Sequence, residues 1–494
     1  MNRVLLKSAG FYGKKGVKAV LVEQGKITAL FTPTDPMPGD CQVLDLGNWW
    51  VYPGFVDTHT HSFEGGLYSG GVDLTNAGDI SEILEKIKAG TEGLSKGENL
   101  FVWRFDENRI KERRFPTIAE LDSVSSEHNI LLRRIDGHSV LLNSRARERV
   151  SGLFSREEVL RGKDNDIAMH WFHGSCSEET ILRAYHKSAE IGLKGGFSGL
   201  HTMIGDADCS NTHYALIRDR LDEFKVDYKL YPQSFNIDSS LELGADRIGG
   251  CILADGSIGS HTAALSQPYQ GSDSCGNLYH DDQFWLRFVE RAQFHNLNVA
   301  VHCIGDKAIR QINNAYLNAK GQSGKCFRHQ LIHCELCPDD LIEEIAASGA
   351  AAVMQPAFDR YWGGEDDLYD NELGRSRMLQ MNRFRSLASK GIRLCFGSDW
   401  YITELDAIKG IHSAVNHKNP AERIIVNEAI DAYTINAAWL AGTDELRGSI
   451  DKGKYADFTV LNRELREGFE IGDIKVVKVI KTGDIVYDGD AVQT

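Results

Sequence analysis

Between about residues 54 and 445 the chain alternates short apolar runs with longer helical patterns: NVAVHC then KAIRQINNAYLNA, RHQLIHC then DDLIEEIAASG, then AAVMQP and RLCFGSD. Repeated strand and helix units of this kind imply a parallel sheet with helices outside it. Several of the strand candidates end on or beside a polar residue. A TIM barrel carries its chemistry at the C-terminal ends of its strands, so these endings favour a TIM-type (β/α)8 barrel over an open doubly wound sheet. No GxGxxG follows a strand and opens a helix, which leaves a dinucleotide-binding fold unsupported.

The two ends of the chain read differently. RVLLKSA and KAVLVEQGKITALF, with a turn expected at Gly25-Lys26, form one hairpin-like stretch; YADFTVLN and VVKVIKTGDIVYDG, with Gly483-Asp484 between two β-rich runs, form another. Antiparallel patterns at both termini predict a small composite β-sandwich from residues 1–53 and 446–494, flanking a barrel over 54–445. Residues from about 64 to 195 are more charged and less regular, and are read as an insertion after the first barrel strand.

Composition sets the outer limits. In 494 residues, 42% are apolar and 25% charged, as in ordinary soluble globular proteins. The net charge of −15 is spread along the chain, so the basic patch that nucleic-acid binding needs is missing. No run approaches the ~20 apolar residues that span a bilayer, and the first residues lack the ~7–15-residue apolar core of a signal peptide. The expectation is a cytoplasmic protein acting on a small molecule, with neither nucleic acid nor membrane as partner and a homodimer as the default assembly. The ten cysteines are too sparse for a disulfide scaffold and are expected as thiols. Cys334 and Cys337 form a CxxC pair, but no second pair accompanies it, so a redox or zinc-ribbon reading is set aside.

The residues that carry chemistry sit at the strand ends. WVYPGFVDTHTH ends in His59-Thr60-His61, and alternate residues of a strand share a side, so both imidazoles can face one ion. His302 closes NVAVH, His333 closes HQLIH, and Asp399 ends LCFGSD. A lone strand-end histidine is usually a hydrogen-bonded residue at a sheet edge. Four of them with an aspartate, in this arrangement, are ligands suited to zinc or a similar divalent cation.

On these residues the chain resembles the amidohydrolase superfamily, in the branch of exoenzyme-regulator-like and D-aminoacylase-related hydrolases. The motifs PGFVDTHTH, RFPTIAELD, GHSVLLNSRA, ADGSIGSHTAAL, VHCIGDKAI, RHQLIHCEL, GSDW and LRGSIDKGKYADFTVLN carry the resemblance nearly end to end. It implies that His59 and His61 bind the more buried of one or two metal ions, that His302 and His333 bind a second position, and that Asp399 contacts metal and serves as general base. It further implies hydrolysis of a non-peptide carbon–nitrogen bond: an N-acyl, cyclic amide or amidine group. A mononuclear heterocycle deaminase, or a non-catalytic regulatory protein that keeps a bound metal, is the alternative. Where many binuclear relatives place a carboxylated lysine, four residues before the aspartate of the DGS motif, this chain has Cys251. It is either a thiolate ligand or a buried small apolar residue. A second departure is KDNDIAMHWFHGS, where His170 and His173, spaced i, i+3, are read as surface and not as ligands. Asp255 and Ser257 of the DGS motif, His138, Gln355 and Trp400 are candidate substrate contacts, each with a scaffold role as the alternative; Trp103, Arg104 and the RRFP run offer cationic and aromatic surface.

Overall fold

The computed structural model describes residues 3–107, 109–135, 137, 139–205, 213–323 and 326–489. The chain divides into two compact units, one comprising Met1–His61 with Ala189–Thr494 and the other Ser62–Ser188.

In the larger unit, β1 (Phe55–Thr60), β2 (Phe197–Ile204) and β3 (Asp227–Pro232) form a parallel sheet in the order β3-β2-β1. A second parallel sheet runs in chain order through β4 (Arg247–Leu253), β5 (Asn298–Cys303), β6 (Gln330–His333), β7 (Ala351–Met354) and β8 (Leu394–Phe396). A parallel bridge between Thr60 and Trp400 joins the end of β1 to the turn after β8. This is the strand order of a TIM-type α/β fold.

Helices separate the strands for local reasons. Asp281 caps the helix Asp282–Phe294 by accepting from the Phe284 amide, and that helix buries Trp285, Phe288, Val289 and Ala292, the i, i+3, i+4, i+7 stripe of an amphipathic helix. The helix Asp339–Ser348 stops at Gly349, whose φ of 73° places it in the left-handed region that favours glycine. Between the strands Met203, Tyr231, Ala300, Ile332, Ala351, Val353 and Cys395 form one buried cluster closed by Leu440. Each such large apolar side chain gains roughly 1.5–3 kcal/mol on burial.

The terminal strands form two sheets in the same unit. One orders Lys26–Phe31, Ala19–Glu23, Arg3–Lys7 and Gln42–Asp45; the other orders Gly10–Phe11, Trp50–Pro53, Phe458–Leu461, Val476–Lys481 and Asp484–Asp488. Leu6, Val20 and Ile27 of the first share a core with Val51, Phe458, Val460 and Ile480 of the second. Both hairpin turns lie one residue earlier than the sequence suggested. Gln24 and Gly25 have φ of 53° and 76°, and Thr482 and Gly483 have 49° and 87°, the two positive values of a type I′ turn. Glycine takes the second position in each, and Lys26 and Asp484 already belong to strands.

The second unit corrects the expectation of an irregular insertion. It holds its own sheet in the order Val159–Arg161, Ser139–Leu142, Asn129–Arg134, Asn99–Phe105, Val72–Asp73, over a core that includes Ile83, Ile87, Leu100, Val102, Leu132 and Leu141. Charged residues beside short strands hid the pattern. No described helix is long and apolar enough to cross a membrane.

Candidate metal centre

The ends of β1 and β8 are locked together before any ligand is considered. The buried Asp57 carboxylate accepts from the His59 amide at 3.0 Å and from the Ser398 amide at 3.1 and 3.0 Å through its two oxygens. The Asp399 amide donates to the His59 carbonyl at 2.9 Å, and the His61 amide to the Trp400 carbonyl at 2.6 Å. A Cβ on Gly397 would lie 2.6 Å from the His59 nitrogen, so only glycine lets the two strands approach this closely. His333 and Asp399 have φ of 70° and 52°, left-handed values that cost energy in non-glycine residues and cluster at functional sites.

This frame brings two overlapping sets of ligand-type atoms together: His59, His61 and Asp399 in one, His59, Cys251 and His333 in the other, each set within 4.8 Å. Asp399 Oδ1 lies 3.2 Å from His59 Nε2 and 3.1 Å from His61 Nε2. Cys251 Sγ lies 3.8 Å from His302 Nδ1, and the His302 and His333 rings are 4.5 Å apart. All the predicted ligand side chains, Cys251 included, therefore converge.

The remaining ring nitrogens of two histidines are held from behind. His333 Nδ1 faces Gln355 Oε1 at 2.7 Å, and His302 Nε2 faces the Gly256 carbonyl at 3.1 Å. Each acceptor fixes a tautomer and turns the opposite nitrogen toward the cluster, the usual support of a metal-binding imidazole. Neither ring nitrogen of His59 has a hydrogen-bond partner, nor does Asp399 Oδ1, although all three atoms are buried. Buried polar atoms left in this state are costly unless something else binds them. Imidazole nitrogen, thiolate and carboxylate together are a donor set that suits a divalent transition-type ion.

The electrostatics point the same way. Burial opposes ionisation of Asp399, yet His59 and His61 hold its carboxyl well below the usual carboxylate range. Burial also raises a thiol, but His302, His333, His59 and His61 bring Cys251 well below the ordinary value. Burial lowers His302, and the neighbouring Cys251 outweighs it and raises the ring to about 9. Two anionic groups thus sit among four imidazoles, where they favour positive charge.

The other candidates fall in different places. Both Asp255 oxygens are taken by backbone amides, of Ala264 and Gly305 at 2.8 Å and Ile304 at 3.0 Å; this carboxylate pins loops behind His302. Gln355 is buried and bonded to His333, as described. Trp400 is 7% exposed, and its backbone, through the Thr60 bridge and the His61 amide, joins β1 to β8. Ser257 is exposed and shares hydroxyl contacts with Ser260. His138 lies outside the described residues. In the second unit, Arg104 stacks on Trp103 at 4.1 Å and pairs with Asp73 at 2.8 Å. His173 Nε2 meets Tyr68 Oη at 3.0 Å, and His170 is exposed. Cys334 and Cys337 are buried free thiols 3.4 Å apart. The sequence reading missed Asp57. Its place in PGFVDTHTH, two residues before His59, was the available signal.

Residues 42–487 match the model of the amidohydrolase family designated Amidohydro_3. The chain is 27% identical to the YtcJ amidohydrolase of Bacillus subtilis over 95% of this chain and 96% of that protein. It is 24% identical to the N-substituted formamide deformylase of Arthrobacter pascens over 94% and 93% of the two chains. Among solved structures, a metal-dependent hydrolase from Pyrococcus furiosus superposes with a TM-score of 0.80 at 23% identity, covering 94% of this chain and 99% of that one. The chain belongs to the amidohydrolase family and hydrolyses carbon–nitrogen bonds other than peptide bonds.

Proposed function

We propose that the substrate is a small molecule carrying an N-acyl group, with an N-substituted formamide as the first case to test, and that Asp399 is the general base. Cyclic amides and amidines are the neighbouring substrates. His59, His61, Cys251, His302, His333 and Asp399 would hold one or two divalent ions, zinc being the best match to imidazole and thiolate. Such an ion, when bound, lowers the pKa of a water towards ~7 and polarises the scissile carbonyl. The observation that carries the reading is that His59 belongs to both ligand sets at once, with Asp399 on one side and Cys251 on the other.

Asp399 remains ionised where His59 and His61 face it, so its carboxylate can take a proton from the attacking water and deliver it to the leaving nitrogen. Water adds to the carbonyl carbon, the carbon–nitrogen bond breaks, and a carboxylic acid and an amine leave. Gln355 and the Gly256 carbonyl keep His333 and His302 turned inward throughout. The eight parallel strands are read as a closed barrel, and the terminal sheets as a composite sandwich beside it. The deformylase relative supports the choice of first substrate, and Cys251 at the cluster favours two ions over the one-ion deaminase alternative.

The test is elemental analysis of wild type beside Cys251→Ala, with hydrolysis of N-substituted formamides and other N-acyl amines followed by amine release. Two metal equivalents falling to one, with amine released by the wild type, is the expected result. One equivalent unaffected by the change would make Cys251 structural and move the search to deaminase substrates.

A further inference from the structure

A cavity of about 240 Å³ opens at the N-terminal ends of β1, β2 and β3, where it is lined by Gly54, Ser198 and Asp227 among others. The metal-ligand candidates lie at the opposite, C-terminal ends of their strands. The inner wall is apolar and made of small residues: Val56, Gly199, Ala437, Ala438 and Ala441. By volume the space equals about eight waters at the ~30 Å³ of the liquid.

One polar side chain reaches this cavity from the barrel interior. His201 is 2% exposed and lines the cavity. Its Nδ1 lies 3.0 Å from Tyr231 Oη, and among the described residues none bonds to Nε2. The tautomer follows from counting bonds at Tyr231. That oxygen already accepts from Arg247 Nη1 at 2.9 Å and from Gln330 Nε2 at 3.0 Å, which uses both lone pairs. The phenol proton has two acceptors in reach, His201 Nδ1 at 3.0 Å and Gln330 Oε1 at 3.3 Å, and the shorter contact assigns it to His201, so Nε2 carries the ring hydrogen. That N–H faces a mostly apolar space, and among the described residues it meets no acceptor.

The mouth carries charge but no net field to recruit an ion. Arg447 pairs with Asp227 at 2.7 Å and also with Asp457, and Lys229 pairs with Asp246 at 2.7 Å. A charged ligand would have to break one of these pairs, and a neutral one would not.

We propose that this cavity is a second binding site, separate from the metal centre, for a small uncharged molecule with an apolar body and one hydrogen-bond acceptor directed at His201 Nε2. A ketone, ester or tertiary amide fragment has this chemistry. The site does not depend on which amide the enzyme cleaves.

Cyclohexanone is a suitable probe, because it has a carbonyl acceptor, no donor and no charge. Saturation-transfer NMR on the metal-loaded enzyme should show binding in the millimolar range, and cyclohexylammonium should show none. Ala441→Leu, which fills space along the apolar wall, should weaken binding by about tenfold or more. His201→Leu removes the donor and should weaken it about tenfold, the value of one hydrogen bond. Absence of cyclohexanone binding by the wild type overturns the proposal. So does binding that Ala441→Leu leaves unchanged, since the probe would then sit elsewhere.

Discussion

The side chains at the metal centre divide into those that would touch an ion and those that hold them. Asp399 Oδ1 is within 3.2 Å of both His59 and His61, and its negative charge is what the proposed proton transfer uses. Asp399→Asn keeps the size and the backbone contacts, so it should still fold while turnover falls by about 10²–10⁴. A variant within a few-fold of wild type would remove Asp399 as the base. Gln355 acts one step further out. Gln355→Leu takes away the acceptor at 2.7 Å from His333 Nδ1, and should weaken metal binding about 10–100-fold, read by competition with a chelator. An unchanged affinity would show that packing alone orients the ring. The histidines proposed as ligands and Asp399 were legible in the sequence because they stand at or just past the ends of apolar runs. The role of Gln355 was not, because its partner is 22 residues away and only the pairing of β6 with β7 brings them together.

At the scale of the elements, strand pairing sets the spacing of the site. In the register between β5 and β6, His302 pairs with Ile332 and Cys303 with His333, so the two histidines stand one residue apart along the sheet. Just before β6, His329 ties the same strands from below: its Nδ1 accepts from the Val299 amide at 3.0 Å, and Nε2 faces the Gln293 side chain at 2.9 Å. Burial pushes this ring down to about 3. The sign follows directly. Between about 3 and the unfolded value near ~6.5 the unfolded chain binds the proton and the folded chain does not, so stability is full above that upper value and falls as pH drops through the window. Denaturant titrations between pH 7 and pH 4 should show the wild type losing up to about 1.4 kcal/mol per pH unit more than His329→Gln, which can still accept from Val299. Parallel slopes would refute the assignment. The hairpins show the limit of local reading at this scale: Gly25 and Gly483 marked the turns, but φ values at Gln24 and Thr482 fixed which residues formed them.

For the molecule as a whole, the cluster concentrates a carboxylate, a thiolate and four imidazoles in a largely buried space, and a bound cation should be part of its stability. Removing metal with a chelator should lower the melting temperature, and readdition should restore it. At a thousand times the dissociation constant the bound ion contributes about 4 kcal/mol. A melting curve indifferent to both treatments would mean that the fold carries no metal of consequence. The sequence by itself determined the alternation of strands and helices, the polar residues that end the strands and the β character of both termini. These are written in local periodicity and in residue type. Only the tertiary structure decided that Cys251 stands beside His302, that Asp57 joins β1 to β8, that the segment after His61 builds its own sheet, and that His201 faces a cavity at the far end of the strands. Each depends on residues distant in the chain meeting in space, and a one-residue change of strand register, which no local pattern records, would have turned those side chains to the other face.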